Sequence, residues 1–380
     1  MTNSPLLTVA IFTGSRAEYG LLQHLISTLA AEPSINVELL VSGSHLSERF
    51  GLTISELSSD GYHDLNLIPL DLDSTHELSM AQLCSQALSG TDTAFKKLQP
   101  HLLVVLGDRY ETFAAAVSAH LNRIPIVHLH GGETTSGALD DKLRNAITQL
   151  STWHFTASDF YRKRVVSMSD TPDKVFNIGP MVLDALLQDS EPLSREDFEA
   201  RTGYVFGVNN IIVTFHPETL SANNGIDGLI YLLKSLDLID CNVLFTHPNA
   251  DEGSSQILDL IQHSINKNPS KYFSVPSLGH SLYLAGLQLF EAVVGNSSSG
   301  VIEAPLIGIP TLNIGDRQGG RLHYSSIVTV EASPVDISKG LSLVLNTGQQ
   351  QSKPRSINLQ SSHSPSSKIL DWLKDEFKLG

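Results

Sequence analysis

At 380 residues the chain is long enough for two cores of ordinary size. Its composition, 41% hydrophobic and 7% aromatic, is that of a soluble globular protein, and no apolar run approaches the roughly 20 residues that span a bilayer. A formal net charge of −15 spread along the chain excludes nucleic acid, which rewards a basic surface, but leaves room for an anionic small ligand in a locally positive cleft. Cys84 and Cys241 have no partner at metal-ligand or redox spacing, so two packed thiols in a reducing compartment are expected. The N-terminal MTNSP leads straight into an apolar stretch without a basic segment, so the expectation is a cytoplasmic protein with no signal peptide.

The elements follow in chain order. Leu7–Thr13 predicts a strand, and after Gly14 and Gly20 the spacing of Leu21, Leu22, Leu25, Ile26 and Leu29 predicts a helix. Val37–Val41, Leu102–Leu106, Ile124–Leu129 and His154–Ala157 predict further strands. These runs are continuously apolar rather than alternating, the pattern of strands buried on both faces in a parallel sheet. After Gly179-Pro180 the polar stretch Gln188–Glu199 suits a linker or a first surface helix. The pattern then restarts with strands at Ile211–Phe215, Val243–Thr246, Tyr272–Val275, Ala292–Gly295 and Thr311–Ile314. Gly348–Ser364 is a low-complexity surface stretch, and Ser364-Pro365 announces a last helix with an apolar stripe of Ile369, Leu370, Leu373 and Phe377. The fold class is therefore α/β, two doubly wound domains in tandem: residues 1–185, residues 186–363, and a helix at 364–380 packing back on them.

Ligands of such sheets sit beyond the carboxyl ends of the strands, and the chemically rich segments lie there. The turn from Gly14 to Gly20 opens a helix whose N-terminus suits an anion, and Arg16 adds a fork of donors fit for phosphate. It is neither a Walker loop nor a dinucleotide fingerprint, so no nucleotide cofactor is expected. Asp108 and Arg109 follow the strand Leu102–Leu106, where a local ion pair is the competing reading. His128 and His130, placed on the same side of a strand, precede Gly131, Gly132 and Glu133. Hydrogen-bonded core histidines suit them better than metal ligands, and no metal is expected. Asp140, Asp141 and Arg144 open a helix; adjacent carboxylates raise each other's proton affinity, and an i,i+4 ion pair is again the plain alternative.

In the second half His216-Pro217 and His247-Pro248, the latter followed by Asn249, each end a strand. The loop Gly295-Asn296-Ser297-Ser298-Ser299-Gly300 presents amides and hydroxyls suited to a diphosphate, and Glu303 follows where a carboxylate can take both hydroxyls of a ribose. Arg317 and Arg321 add positive charge.

The segments GSRAEYG, LGDRYE, HLHGGET…DDKLR, FHPET, GNSSSGVIEAP and NIGDRQGGR, in this order from about residue 7 to residue 325, resemble the hydrolysing UDP-N-acetylglucosamine 2-epimerases. The resemblance implies a GT-B arrangement of two Rossmann-like domains with the active site in the interdomain cleft. It implies a UDP-sugar substrate, no cofactor, and a homodimer or homotetramer. The implied reaction removes the C2 proton while UDP leaves C1, giving a 2-acetamidoglycal; water then adds with the opposite configuration at C2, releasing N-acetylmannosamine. Relatives acting on UDP-N,N'-diacetylbacillosamine share these motifs, and a non-hydrolysing epimerase or a GT-B glycosyltransferase is the remoter alternative. Carried over by motif, Asp108, Glu133 and Asp140 are the catalytic carboxylates. Arg16, His216, Ser297, Ser298 and Arg321 hold the diphosphate, Glu303 the ribose, and Arg144 orients the acidic helix. Arg109, Asp141, Asn249, Ser299 and Arg317 complete the expected substrate contacts. Non-hydrolysing relatives carry glutamate where this chain has His130, which marks the branch and makes the imidazole a candidate proton carrier.

Overall fold

The structure is a computed structural model that describes residues 6–74, 78–134, 139–187, 193–218, 223, 225–248, 253–321, 324–350 and 364–379. The chain separates into two compact units. The first comprises Met1–Glu133, Asp140–Gln188 and Ser361–Gly380; the second comprises Thr134–Leu139 and Asp189–Gln360.

Among the described residues the first unit holds seven strands: β1 (Leu7–Thr13), β2 (Ile35–Ser42), β3 (Leu65–Ile68), β4 (Leu102–Leu106), β5 (Ile126–Leu129), β6 (Trp153–Thr156) and β7 (Val175–Asn177). They pair in parallel throughout, in the order β3-β2-β1-β4-β5-β6-β7. Every residue of β4 is buried, as a strand covered by helices on both faces requires. The helix Arg16–Ala30 buries Leu22, Leu25, Ile26 and Leu29 against one face. Its start is fixed by a capping box: Ser15 Oγ accepts from the Glu18 amide while the Glu18 carboxylate accepts from the Ser15 amide.

The last helix, Pro365–Phe377, belongs to this same core. Ser364 caps it by accepting from the Ser367 amide, and Pro365 sits at its first turn, where a missing N–H costs nothing. Ile369 and Leu373 are fully buried, and the Trp372 ring packs edge-on against Trp153 and Phe155 at 5.2 and 5.0 Å. Asp184, on the helix Val182–Leu187, accepts from the Ser366 amide at 3.2 Å and anchors the returning chain.

Among the described residues the second unit holds six strands: β8 (Asn210–Thr214), β9 (Asn242–Thr246), β10 (Tyr272–Val275), β11 (Ala292–Gly295), β12 (Thr311–Ile314) and β13 (Ile327–Val330). They too are all parallel, in the order β10-β9-β8-β11-β12-β13. Its core is built from β8, β9, β11 and β12 with the helices Ile226–Leu236, Ser254–Lys267 and Pro334–Gln350. The polar stretch after residue 192 becomes the helix Arg195–Thr202, capped by Ser194. Most of the Gly348–Ser364 stretch lies outside the described residues. Among the described residues no helix is long and apolar enough to cross a membrane.

In each sheet the chain winds outward from its first strand and then returns to that strand's other side. The reversal falls between β1 and β4 in the first unit and between β8 and β11 in the second. At such switch points the two turns diverge and leave a crevice beyond the strand ends.

Candidate functional site

In the first unit the switch point is lined by the β1 turn (Gly14–Arg16) and the β4 turn (Gly107–Tyr110), with the β5 turn (His130–Glu133) beside it. Arg144, on the helix Asp140–Leu150, is 3% exposed and ties two of these turns together. One of its Nη atoms donates to Asp108 Oδ2 and the other to the carbonyl of His130 at 3.0 Å. Burial alone pulls its pKa down, but Asp108, Glu133, Asp140 and Asp141 outweigh it and push it up. Arg144 is therefore a fixed charge around which four carboxylates are arranged. Its ion pair is made with Asp108, across the sheet, as well as drawing on the acids of its own helix.

The ladder of β5 ends at Leu129, so the two histidines do not share a face as strict alternation predicts. His128 is wholly buried: its Nε2 donates to the Gly107 carbonyl at 2.9 Å, which leaves Nδ1 to accept from the Thr148 hydroxyl at 3.2 Å. Burial pushes its pKa down to about 3, so it is a neutral structural bolt between β5, the β4 turn and the helix after it. His130 swings into the left-handed region, φ +62°, with its Nδ1 3.1 Å from Glu133 Oε1. Among the described residues no three His, Cys, Asp or Glu side chains converge as a metal site would need.

Two of the site cations are paired with carboxylates. Arg16 makes an ion pair with Glu56 at 2.7 Å, and Arg109 Nε donates inward to Glu111 Oε1 at 2.6 Å. Asp140 and Asp141 stand in the first turn of their helix, where its dipole favours negative charge.

A group the sequence reading passed over lies beneath the β1 turn. Glu18 accepts from the Gly14 amide at 2.7 Å and the Ser15 amide at 3.1 Å with one oxygen, and from the Thr112 hydroxyl at 3.1 Å with the other. It thus clasps the β1 turn to the helix Tyr110–Leu121 across the switch point. Glu111, fully buried, fills the space where a side chain on Gly14 would go: a Cβ there would lie 2.5 Å from Glu111 Cγ. Burial, helped by the Glu111 charge, pushes Glu18 up to about 7; Arg109, the Gly14 amide and Thr112 pull the other way. The folded chain therefore keeps a proton that the unfolded chain has lost above the ordinary glutamate range, so stability falls as pH rises from about 4.5 towards 7. Glu18→Gln should flatten that slope, a change read as a smaller difference in urea midpoint between pH 5 and pH 8 than wild type shows. An equal difference would remove Glu18 from the account.

In the second unit the switch point is held by Asn296. Its Oδ1 accepts from the His216 amide at 2.7 Å and its Nδ2 donates to the His216 carbonyl at 2.9 Å, locking the β8 and β11 turns together. The Asn296 carbonyl in turn accepts from Arg317 Nη1 at 3.1 Å and Gln318 Nε2 at 2.7 Å, which brings the β12 turn to the same place. His216, Arg317 and Arg321 are all buried. Ser297 caps the short helical turn Ser298–Val301, and Ser299 is hydrogen-bonded to the Tyr283 hydroxyl. Glu303 begins the next turn, Glu303–Ile307. Burial pushes Glu218 up, against the Asn296 amide and Arg317. The structure so gathers His216, Ser297, Ser298, Ser299, Glu303, Arg317 and Arg321 on the turns of β8, β11 and β12, while Asn249 lies outside the described residues.

The profile of the family described as UDP-N-acetylglucosamine 2-epimerase matches residues 27–374. The chain belongs to this UDP-N-acetylglucosamine 2-epimerase family. The match begins past β1 and its turn, and it includes both sets of later turns. A GDP/UDP-N,N'-diacetylbacillosamine 2-epimerase (hydrolyzing) of Campylobacter jejuni is 34% identical over 86% of this chain and 85% of its own length. Polysialic acid biosynthesis protein P7 of Escherichia coli is 32% identical over 87% of this chain and 84% of its own. The solved S. aureus MnaA-UDP co-structure is similar in fold, with a TM-score of 0.80 at 13% identity, covering 99% of this chain and 98% of that one. A putative UDP-N-acetylglucosamine 2-epimerase from Listeria monocytogenes shares this fold of two parallel sheets, with a TM-score of 0.77 at 14% identity over 98% of this chain and 97% of that one.

In this epimerase-family chain the residues missed by sequence reasoning are Glu18, Glu111, Thr112, Glu218, Asn296 and Gln318. Glu18 carried a legible signal, the Ser15-x-x-Glu18 capping box; Asn296 carried one as the only amide in a strand-ending Gly/Ser loop. Glu111 closes the LGDRYE segment, but nothing about a glutamate in a first helical turn announces that it is fully buried.

Proposed function

We propose that this chain is a hydrolysing 2-epimerase that converts UDP-N-acetylglucosamine to N-acetylmannosamine and UDP. The observation that carries the reading is the Asp108–Arg144 pair with Glu133 beside it at the end of the first parallel sheet, in a chain of this family. The chemistry needs a base at C2, an acid at the departing oxygen and positive groups for the diphosphate. In the elimination a carboxylate takes the C2 proton, the C2–H electrons form the C1=C2 bond, and the C1–O pair leaves with UDP. Water then returns a hydroxyl to C1 and a proton to the opposite face of C2. Asp108, Glu133 and Asp140 supply the proton-transfer groups, with Arg144 tempering the charge they accumulate. His216, Ser297, Ser298, Ser299, Arg317 and Arg321 are the proposed diphosphate contacts, with Arg16, Arg109, Asp141 and Asn249 on the substrate side and Glu303 at the ribose. A cytoplasmic location and assembly as a homodimer or homotetramer belong to the same proposal.

A second substrate is favoured by a specific observation: the Campylobacter jejuni relative is named for UDP-N,N'-diacetylbacillosamine. The reaction is the same and only the sugar's substituents away from C1 and C2 differ. Proton NMR of the purified protein with either UDP-sugar in heavy water tests both. UDP and a free N-acetylated sugar deuterated at C2 are expected with one of them. A product still linked to UDP would make the enzyme non-hydrolysing, and no turnover of either would refute the reading.

A further inference from the structure

The left-handed backbone of His130 costs a side-chain-bearing residue about 1–2 kcal/mol, so the surroundings must hold it there. They do so at four points. The His130 amide donates to the Phe155 carbonyl at 2.9 Å, its carbonyl accepts from Arg144 at 3.0 Å, its Nε2 accepts from the Met181 amide at 3.0 Å, and its Nδ1 faces Glu133 Oε1 at 3.1 Å. The third contact decides the chemistry. A backbone N–H can only donate, so Nε2 carries a lone pair and the ring's proton is on Nδ1. Protonating Nε2 would break its bond to a buried amide and strand that N–H without a partner. Taking the Nδ1 proton would leave an imidazolate. In this arrangement a proton placed on Nε2 would have to displace the Met181 amide.

We propose that His130 is a positioning residue, locked as the Nδ1–H tautomer by the Met181 amide, that presents the Glu133 carboxylate to the substrate, so that a carboxylate and not the imidazole carries the proton moved at the sugar. The inference deepens the epimerase reading and rests on it for the identity of the moving proton; the tautomer itself does not. The groups facing the ring are Glu133 on its own turn, Arg144 and through it Asp108, and the neutral His128. One fixed cation lies among these groups and favours the ionised carboxylate, while the Met181 bond stops the ring, 3.1 Å from Glu133 Oε1, from turning away.

Two measurements test this. Ring-nitrogen NMR of the full-length protein labelled with [15N]histidine, with the His130 signals assigned by their loss in His130→Asn, should show the neutral ring with Nε2 unprotonated and Nδ1 protonated. An Nε2–H tautomer would overturn the proposal even in a sample that turns over no sugar. The second measurement is the pH profile of kcat with whichever UDP-sugar reacts. His130→Asn tolerates the left-handed backbone and keeps an N–H near the Nδ1 position, so it should lose about tenfold in kcat. His130→Ala should lose on the order of 100-fold, the scale of a misplaced reacting group. Both variants should keep the two limbs of the wild-type profile. Loss of one limb with an equal drop of roughly 10³-fold or more in both variants would make the imidazole the proton carrier. A wild-type rate in His130→Ala would dismiss the positioning role.

Discussion

Asp108→Asn should lower turnover roughly 10³-fold while changing the Kd for UDP by less than twofold. The amide keeps the shape of the carboxylate and removes the charge and the basicity that a proton-transfer group needs, a loss typically of 10²–10⁴-fold. It also deprives the buried Arg144 of its ion-pair partner. The stability cost should stay below the ~3–5 kcal/mol of a fully buried broken pair, because the Asp108 side chain is 17% exposed and Glu133, Asp140 and Asp141 still face the guanidinium. A melting curve taken on the same sample separates that cost from the chemical one. Ser298→Ala is the complementary change. It should raise the UDP Kd about fivefold, the value of one lost hydrogen bond, and lower kcat much less. The proposed division of labour gives acid–base chemistry to the first sheet's turns and the diphosphate to the second's. Turnover of Asp108→Asn near the wild-type level would remove Asp108 from the mechanism. Unchanged UDP affinity by calorimetry in Ser298→Ala would remove the Gly/Ser loop.

How much of this was legible in the sequence depends on how deeply each residue is buried. Among the described residues ten strands announce themselves as apolar runs; nine of them are central, where a parallel strand meets hydrophobic neighbours on both faces, and the tenth is the edge strand β10. The three that do not, β3, β7 and β13, are all edge strands. Leu65–Ile68 is mostly part-exposed, Val175–Asn177 is only three residues long, and Ile327–Val330 has no fully buried residue. An edge strand is defined by one partner's backbone, and backbone pairing leaves little trace in side-chain pattern. The strand boundaries moved by one or two residues for a related reason: Asn210 and Asn242 start their strands although they are polar, since the ladder needs only their amides and carbonyls.

The site divides in the same way. Asp108, His130, Glu133, Arg144, His216 and Ser297 stand on or beside strand-ending turns, where the sequence places unusual polar residues near apolar runs. What the sequence did not reveal is how they are held. The Glu18 clasp joins residues 94 positions apart, and the Asn296 clamp joins residues 80 apart. Both follow from the reversal of strand order, which no local pattern encodes. The carboxylate partners of Arg16 and Arg109 were no more legible: Glu56 lies 40 residues from Arg16, and the short-range pair of Arg109 with Glu111 was only one of two readings open for it.

Gly295→Ala should destabilise the second unit by about 3 kcal/mol or more. Gly295 closes β11 at φ +134°, a region L side chains rarely adopt, and a Cβ there would lie 2.0 Å from the Thr214 carbonyl oxygen and 2.8 Å from its carbon. Neither atom can step aside, since Thr214 pairs with Gly295 in the β8–β11 ladder and its oxygen accepts from the Asn296 amide. The displaced β11 turn would carry Asn296 with it and loosen its double bond to the His216 backbone, so UDP affinity should fall together with stability. Gly51→Ala separates the two causes. Gly51 also has a positive φ, +91°, but no atom lies within 4 Å of where its methyl group would stand, so it should lose only the roughly 1–2 kcal/mol of backbone strain. For a unit of this size each kcal/mol shifts the melting temperature by about 2–4 °C. Calorimetry should therefore show Gly295→Ala melting roughly 6–12 °C below wild type and Gly51→Ala only a few degrees below it. Equal losses in the two variants would mean that the left-handed backbone alone, rather than the contact with Thr214, makes glycine necessary at position 295.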